Sequence, residues 1–314
     1  MSPQAPEREA ERFRLAQEVL TWPRDGVRIS WHGQFLRNLA GVLLNWGERA
    51  PAEIVVRELQ QLAQRTQDAD LQLRLLAQEA MVATIDGRLE AAAEAGATLG
   101  PFAVEAITRT LILLGRTGEA LRIVEDMNTA AGGPTEEPSM AYLGERVMCL
   151  ANAGQSLEAA VLVRRLAVEF DITNPEGRPA VPVLALLLES AVLVGDREIA
   201  AQLMIRLAVL AGVIHTSWTN SCIGRHLGAG AMMLDRLEEA RHYYAQALGI
   251  ATKIRHRPEI ALIRLGLAEL DAAEGHSDAA REHLAFCIPE FEAMKMRPGL
   301  ERALALKERL GNGV

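Results

Sequence analysis

Five alanines, Ala120, Ala160, Ala200, Ala240 and Ala280, stand 40 residues apart in four successive intervals. Thirteen residues before them lie Ile107, Val147, Leu187, Leu227 and Leu267, and seven after lie Met127, Ala167, Leu207, Ala247 and Cys287. Four after lie Val124, Arg164, Met204, Tyr244 and Leu284, apolar in all but one unit. Five before lie Gly115, Gln155, Gly195, Asp235 and Gly275. A single globular core has no reason to repeat at a fixed interval. A stack of helical hairpins does, because each unit buries its apolar stripe only against its neighbours.

Each unit reads as helix, tight turn, helix. Gly or Asp five places before the anchor tolerates the turn backbone. The next helix starts with acidic residues such as Glu238 and Glu239, which suit its positive end. The anchor alanine lies where the two helices cross, and a larger side chain would push them apart. The apolar columns four and seven places on share its face. Arg164 interrupts one column, and two packings satisfy it. Its stem can lie along apolar surface with the charge in water, or the helix is rotated and Val163 points inward. Gly47 with Ala52 and Gly87 with Ala92 repeat the five-residue offset, again 40 apart. Only 28 residues separate Ala92 from Ala120, so one helix there is short or a hairpin irregular.

The pattern predicts an all-α, right-handed α-solenoid of about seven hairpins, a single unit over 1–314. An opening helix covers 7–21. The hairpins pair 33–46 with 52–66, 68–86 with 88–98, 102–114 with 117–129, 139–153 with 156–170, 183–194 with 196–211, 221–234 with 236–255, and 258–273 with 277–296. A last helix over 299–310 caps the array. The Gly- and Pro-bearing links 130–138 and 171–182 are where the array bends or divides. The link 213–220 is short and less regular, and its Trp218 either plugs the joint between hairpins or meets a partner.

A net charge of −8 argues against whole-surface attraction to nucleic acid or anionic lipid. The densest basic stretch, Arg255-His256-Arg257, reads as a helix terminus, with an anion or partner contact as the other reading. Cys149, Cys222 and Cys287 lie in different repeats without a CxxC, as in a reducing cytoplasm. The charged N-terminus does not read as a secretory signal. The longest apolar run, 180–188, is too short for the roughly 18 residues of a membrane span.

The segment 227–248 resembles a tetratricopeptide repeat. Leu227-Gly228 matches the Leu-Gly pair of the first helix, Leu237 to Ala240 the start of the second, and Tyr244 and Ala247 its aromatic and small positions. Pro258 falls beyond the usual place, giving a longer second helix and a 40-residue unit instead of 34. More narrowly, 195–208, 227–248 and 257–270 look like the C-terminal helical tail of bacterial regulators that carry an AAA-type ATPase with a nucleotide cyclase or a LuxR-type DNA-binding domain. Neither cyclase nor ATPase motifs occur here. The resemblance implies a regulatory or protein-interaction module of bacterial signalling or transcription control.

Motifs for catalysis are missing from the sequence. There is no GxxxxGK[ST] and no HExxH, and the GxG at Gly228-Ala229-Gly230 sits in a helical pattern where glycine serves packing. His276 and His283 are seven apart without an evident third ligand. The expectation is therefore no enzyme, no metal and no cofactor. In the resembled family the concave face comes from the first helix of each pair. Carried onto this chain, that face holds Phe102, Glu105, Arg109, Tyr142, Glu145, Arg146, Asn152, Glu189, Arg225, His226 and Glu269, with Cys149 and Cys222 alongside. Aromatic, Arg and Asn side chains there would anchor a protein or peptide segment laid in the groove. The ordinary alternative for each is solvated helix surface or a core position miscounted by one. Glu145 and Glu189 share the face with Arg146 and Arg225, so the family's basic clamp for a peptide carboxylate is not reproduced. The second functional reading is a sensor that closes around a small-molecule effector. Direct nucleic-acid or membrane partners are not expected.

Overall fold

The computed structural model describes residues 6–23, 26–100, 103–130, 139–174, 179–216 and 219–312. Helix α1 (Glu9–Val19) leads into seven antiparallel pairs. These are α2 (Ile29–Asn45) with α3 (Arg49–Thr66), α4 (Ala69–Ile85) with α5 (Leu89–Gly96), and α6 (Ala103–Leu113) with α7 (Thr117–Ala130). There follow α8 (Met140–Asn152) with α9 (Ser156–Glu169), and α10 (Val181–Val194) with α11 (Arg197–Leu207). The array ends with α12 (Ile223–Met233) and α13 (Leu237–Ile254), α14 (Arg257–Ala273) and α15 (Ser277–Met294), and the closing helix α16 (Arg297–Asn312). This is the all-α solenoid that the spacing predicts. The eight-residue α5 accounts for the shortened interval between Ala92 and Ala120.

The anchors Ala52, Ala92, Ala120, Ala200, Ala240 and Ala280 are buried, and so is the column from Ile107 to Leu267. The fourth hairpin corrects the register. Ala160 is only partly buried, and Ala159 takes its place. Gly154, not Gln155, holds the turn with φ of 74°. Val163 and Leu166 fill the core where Arg164 and Ala167 were expected, and Arg164 reaches out to Asp196 at 2.8 Å. The one-residue slip moves the turn and the second helix together while Val147 on the first helix keeps its column, so the second packing of Arg164 is the one adopted. Helix α10 is apolar around most of its circumference, from Val181 to Leu188, because it is surrounded by α8, α9, α11 and α12. Among the described residues no helix is long and apolar enough to cross a membrane.

The array curls until its two ends meet. Arg49, after the first turn, donates to the carbonyl of Ile254 at 2.7 Å, 205 residues away. Lys295 reaches Glu90 at 2.7 Å. The turn glycines of the first two pairs sit against the later helices. A methyl group on Gly47 would come within 2.9 Å of Ile250, and one on Gly87 within 2.6 Å of the Met294 sulfur. Both also hold positive φ, at 90° and 79°. These positions combine a left-handed turn with close approach, and glycine satisfies both.

The link after α11 lies inside this curl. Ile214–His215 and Ser221–Cys222 form a two-residue antiparallel ladder, Ile214 opposite Cys222 and His215 opposite Ser221. Thr216 donates through its backbone N–H and its hydroxyl to Asn45 Oδ1 on α2, each at 2.9 Å. Asn220 donates to the Met81 carbonyl of α4 at 3.4 Å. Thr219, Asn220 and Ser221 are buried. The short irregular link is therefore an inner strap between first-half and second-half helices. Trp218 at its tip lies outside the described residues, as do nearly all of 130–138 and 175–178 of the longer links.

Candidate functional site: an inner chamber

The first helices of successive pairs face inward, and their side chains converge. Arg109, Ile112 and Leu113 from α6, Asn152 at the end of α8, and Glu189, Val192 and Leu193 from α10 form one side of a chamber of about 390 Å³. Arg225, His226 and Ala229 of α12, Leu262 of α14, Met296 before α16, and Pro298, Gly299 and Arg302 of α16 form the other. The chamber exists only because α16 returns to face α6, a consequence of the curl.

Its charges are arranged in pairs that span the fold. The Arg109 guanidinium forks onto Glu189, Nη1 to Oε1 at 2.6 Å and Nη2 to Oε2 at 2.5 Å. Its Nε donates to the Thr219 carbonyl of the strap at 2.8 Å. Arg225 Nε donates to both oxygens of Glu259, at 3.0 and 2.9 Å, and one of those oxygens also accepts from the Cys222 N–H at 2.9 Å. Arg302 on α16 forks onto Glu269, with Nε at 2.5 Å. Burial alone would raise the Glu189 carboxyl, but Arg109 and then His226 hold it well below the usual carboxylate range. Glu259 is likewise low, because Arg225 outweighs its burial.

His226 and His256 are buried near these pairs. Burial, reinforced by Arg225, takes the His226 imidazole down to about 3. Burial takes His256 down to about 4, although Glu259 opposes the shift. His256 Nε2 meets Asn220 Oδ1 at 3.2 Å, and its Nδ1 accepts from the Glu259 N–H at 3.4 Å, capping α14. The basic stretch at 255–257 is thus a helix junction. Arg255 ends α13 at φ of 57°, and Arg257 pairs with Glu290 at 3.1 Å.

Two arrangements resemble chemistry. Ser221 Oγ lies 2.8 Å from His226 Nε2, and Glu189 Oε2 lies 4.0 Å from that same nitrogen. A relay needs the acid on the opposite ring nitrogen, whereas here both carboxylate oxygens are taken by Arg109. Asp271, Glu274 and His276 bring potential metal-ligating atoms within 4.8 Å of one another, with His283 3.6 Å from Asp271. Arg241 already donates to both Asp271 and Glu274, so a cation occupies the position a metal would need. The three cysteines are buried. Burial raises the thiols of Cys149 and Cys222, and it pushes Cys287 up to about 11.

Of the eleven inner-face residues, Arg109, Asn152, Glu189, Arg225 and His226 line this one chamber, and Glu269 stands behind Arg302. Tyr142 and Glu145 are buried within the array, so neither is an exposed groove anchor in this closed form. Arg146 turns outward to Glu158 at 2.7 Å. Phe102 lies outside the described residues, and Glu105 is placed only as part of α6. Sequence spacing missed Arg302, Glu259, Ser221 and the strap. Only curvature brings them in, and no local pattern encodes it.

No family model matches the chain, and no curated protein matches it. Solved structures do match. The crystal structure of the APC/C hetero-tetramer Cut9–Hcn1 aligns over 96% of this chain and 53% of that one, at 13% identity and a TM-score of 0.54. This chain therefore spans about half the length of that chain. A tetratricopeptide repeat protein from Parabacteroides merdae aligns over 87% of this chain and 99% of that one, at 11% identity and a TM-score of 0.42. The likeness to the first is one of fold, a stacked array of tetratricopeptide-like helical hairpins.

Proposed function

We propose that this chain is a non-catalytic recognition module of a cytoplasmic bacterial regulator, reading a compact ligand in its inner chamber and relaying the result to a protein partner. The observation that carries this is the convergence of six helices on one enclosure. Its walls are mostly apolar, with a few oriented polar groups, and its size is that of small-molecule sites. Its walls join the third hairpin to the closing helix, so occupancy is linked to closure of the curl. Such coupling is how a ligand shifts a solenoid between shapes. The resemblance of 195–208, 227–248 and 257–270 to tails of ATPase-linked cyclases and LuxR-type regulators is what suggests a signalling role. A thermal-shift screen of the chain against a metabolite library tests the proposal, since a ligand of the folded state raises its melting temperature. A screen without any hit whose effect is abolished by Leu193→Trp at the chamber wall would sink it.

A second reading is a partner segment laid along the inner face. It requires the seam to open, and the exposed Lys295–Glu90 contact favours it as a weak tie at the seam. Small-angle scattering with the partner bound would then show a larger radius of gyration than the free chain.

A further inference from the structure

We propose that the chamber receives a small organic acid, an apolar body ending in one carboxylate that Arg225 and Arg302 bind. This rests on the reading of the chamber as a ligand site and adds the ligand's chemistry. The lining carries three guanidinium groups, Arg109, Arg225 and Arg302, against one carboxylate, Glu189. Glu189 is consumed by Arg109, which also gives its Nε to Thr219, so that each of its three nitrogens is engaged. Arg225 differs. Only its Nε is engaged, by Glu259 from behind the wall; its Nη2 is closed off from solvent, which leaves Nη1 as the accessible donor. Arg302 engages Glu269 through Nε and Nη2 and keeps Nη1. Arg225 also repels both Arg109 and Arg302. Unengaged guanidinium nitrogens beside like charges are what a carboxylate relieves, one oxygen for Arg225 and one for Arg302.

The charge count sets the valence. With Glu259 and Glu269 included, three arginines face three carboxylates around a neutral His226. Among anions, one bearing a single negative charge departs from this balance least, whereas a phosphate monoester would bring about two. Most of the remaining lining is apolar, with Ile112, Leu113, Val192, Leu262 and Met296 suiting an aliphatic or aromatic body and Asn152 and His226 as its other hydrogen-bonding side chains.

Calorimetric titration of the full chain with octanoate, 3-phenylpropionate, their primary amides and octyl phosphate tests this. The acids are expected to bind at least ten-fold tighter than the amides and no weaker than octyl phosphate. Arg225→Met and Arg302→Met are each expected to weaken acid binding ten-fold or more and leave amide binding unchanged. Arg302 has an exposed side chain, so its variant keeps the test open if loss of Arg225 unfolds the chain. Equal binding of acids and amides overturns the proposal, as do acids unaffected by Arg302→Met, octyl phosphate preferred ten-fold, or no binding of any probe. In each of those cases, a library compound whose thermal shift is abolished by Leu193→Trp would leave the chamber reading standing without its carboxylate.

Discussion

The inner seam and the outer face of this array invert the usual polarity of a folded chain. Inside, where α6, α10, α12 and α14 meet the strap, Arg109, Glu189, Glu259, His226 and His256 are buried. Outside, α9 shows Leu157, Val161 and Val168, and the end of α11 continues with Ile205 and Val209, all exposed. Outer charges pair in water, within a helix as Arg165 with Glu169 at 2.7 Å or between repeats as Arg197 with Asp235 at 2.9 Å. Inner charges pair across 80 residues in Arg109–Glu189 and 34 in Arg225–Glu259. Apolar contact between neighbours builds a solenoid of any curvature, because each repeat touches only the next. Long-range buried pairs distinguish one curvature from others, which is a role for directional bonds more than for bulk stability.

The largest effect should come from breaking one half of a seam pair. Glu189→Gln or Arg109→Met leaves a buried partner charge uncompensated, and each should cost about 3–5 kcal/mol in urea unfolding. The double variant Arg109→Met with Glu189→Met should recover much of that loss, because a buried pair of charges is nearly balanced by its own desolvation. If the double variant also lets the radius of gyration grow, the pair fixes curvature. If both singles lie within 0.5 kcal/mol of the parent, the contrast between seam and surface is wrong.

Acid should act on the seam next. Both buried histidines are held neutral, His226 down to about 3 and His256 down to about 4, against an ordinary value near 6.5. The unfolded chain therefore takes up protons that the folded chain refuses as pH falls below 6.5. The stability due to the neutral imidazoles is complete above that point. It declines toward pH 4, by up to roughly 1.4 kcal/mol per pH unit for each histidine. The Glu189 and Glu259 carboxyls, also low when folded, add to the loss only below about pH 4.5, near their ordinary value. Urea midpoints at pH 7.5, 6 and 5 measure the slope, and His226→Gln should flatten it.

Hairpin architecture was legible in the sequence because it is local. The turn, the anchor and the apolar columns all fall within one unit, and even the slip of the fourth hairpin is foreshadowed by Arg164. Inner-face membership was partly legible for the same reason: helical period assigns Arg109, Asn152, Glu189, Arg225 and His226 to one side of their helices, and they line the chamber together. The partners of those residues were not legible. Arg302 reads from sequence as the polar surface of a terminal cap, and becomes a chamber residue only because the curl carries α16 back to α6. Arg146 was misplaced by the carried-over register, since it turns outward to Glu158.

Glycine turns sharpen the comparison at a smaller scale. Gly87 and Gly195 have the same backbone angle, φ of 79° and 78°, but Gly87 lies against Met294 while nothing lies within 4 Å of a methyl group at Gly195. Gly195→Ala should cost about 1–2 kcal/mol, the backbone penalty alone. Gly87→Ala should exceed it by whatever the seam spends in moving Met294 aside. Equal losses would mean that the meeting of the two ends is loose.

The smallest change is expected on the outer face. Val168→Ser and Ile205→Ser remove apolar groups that are 82% and 79% exposed, so each should alter stability by less than about 0.5 kcal/mol. Both substitutions should leave ligand-dependent thermal shifts intact, since neither side chain touches the chamber. A larger loss from Val168→Ser, growing with protein concentration, would mean that the outer face is buried against another copy in solution. In that event the exposed apolar side chains and the buried charges would serve the same purpose, each specifying one arrangement of helices, within the chain on the inside and between chains on the outside.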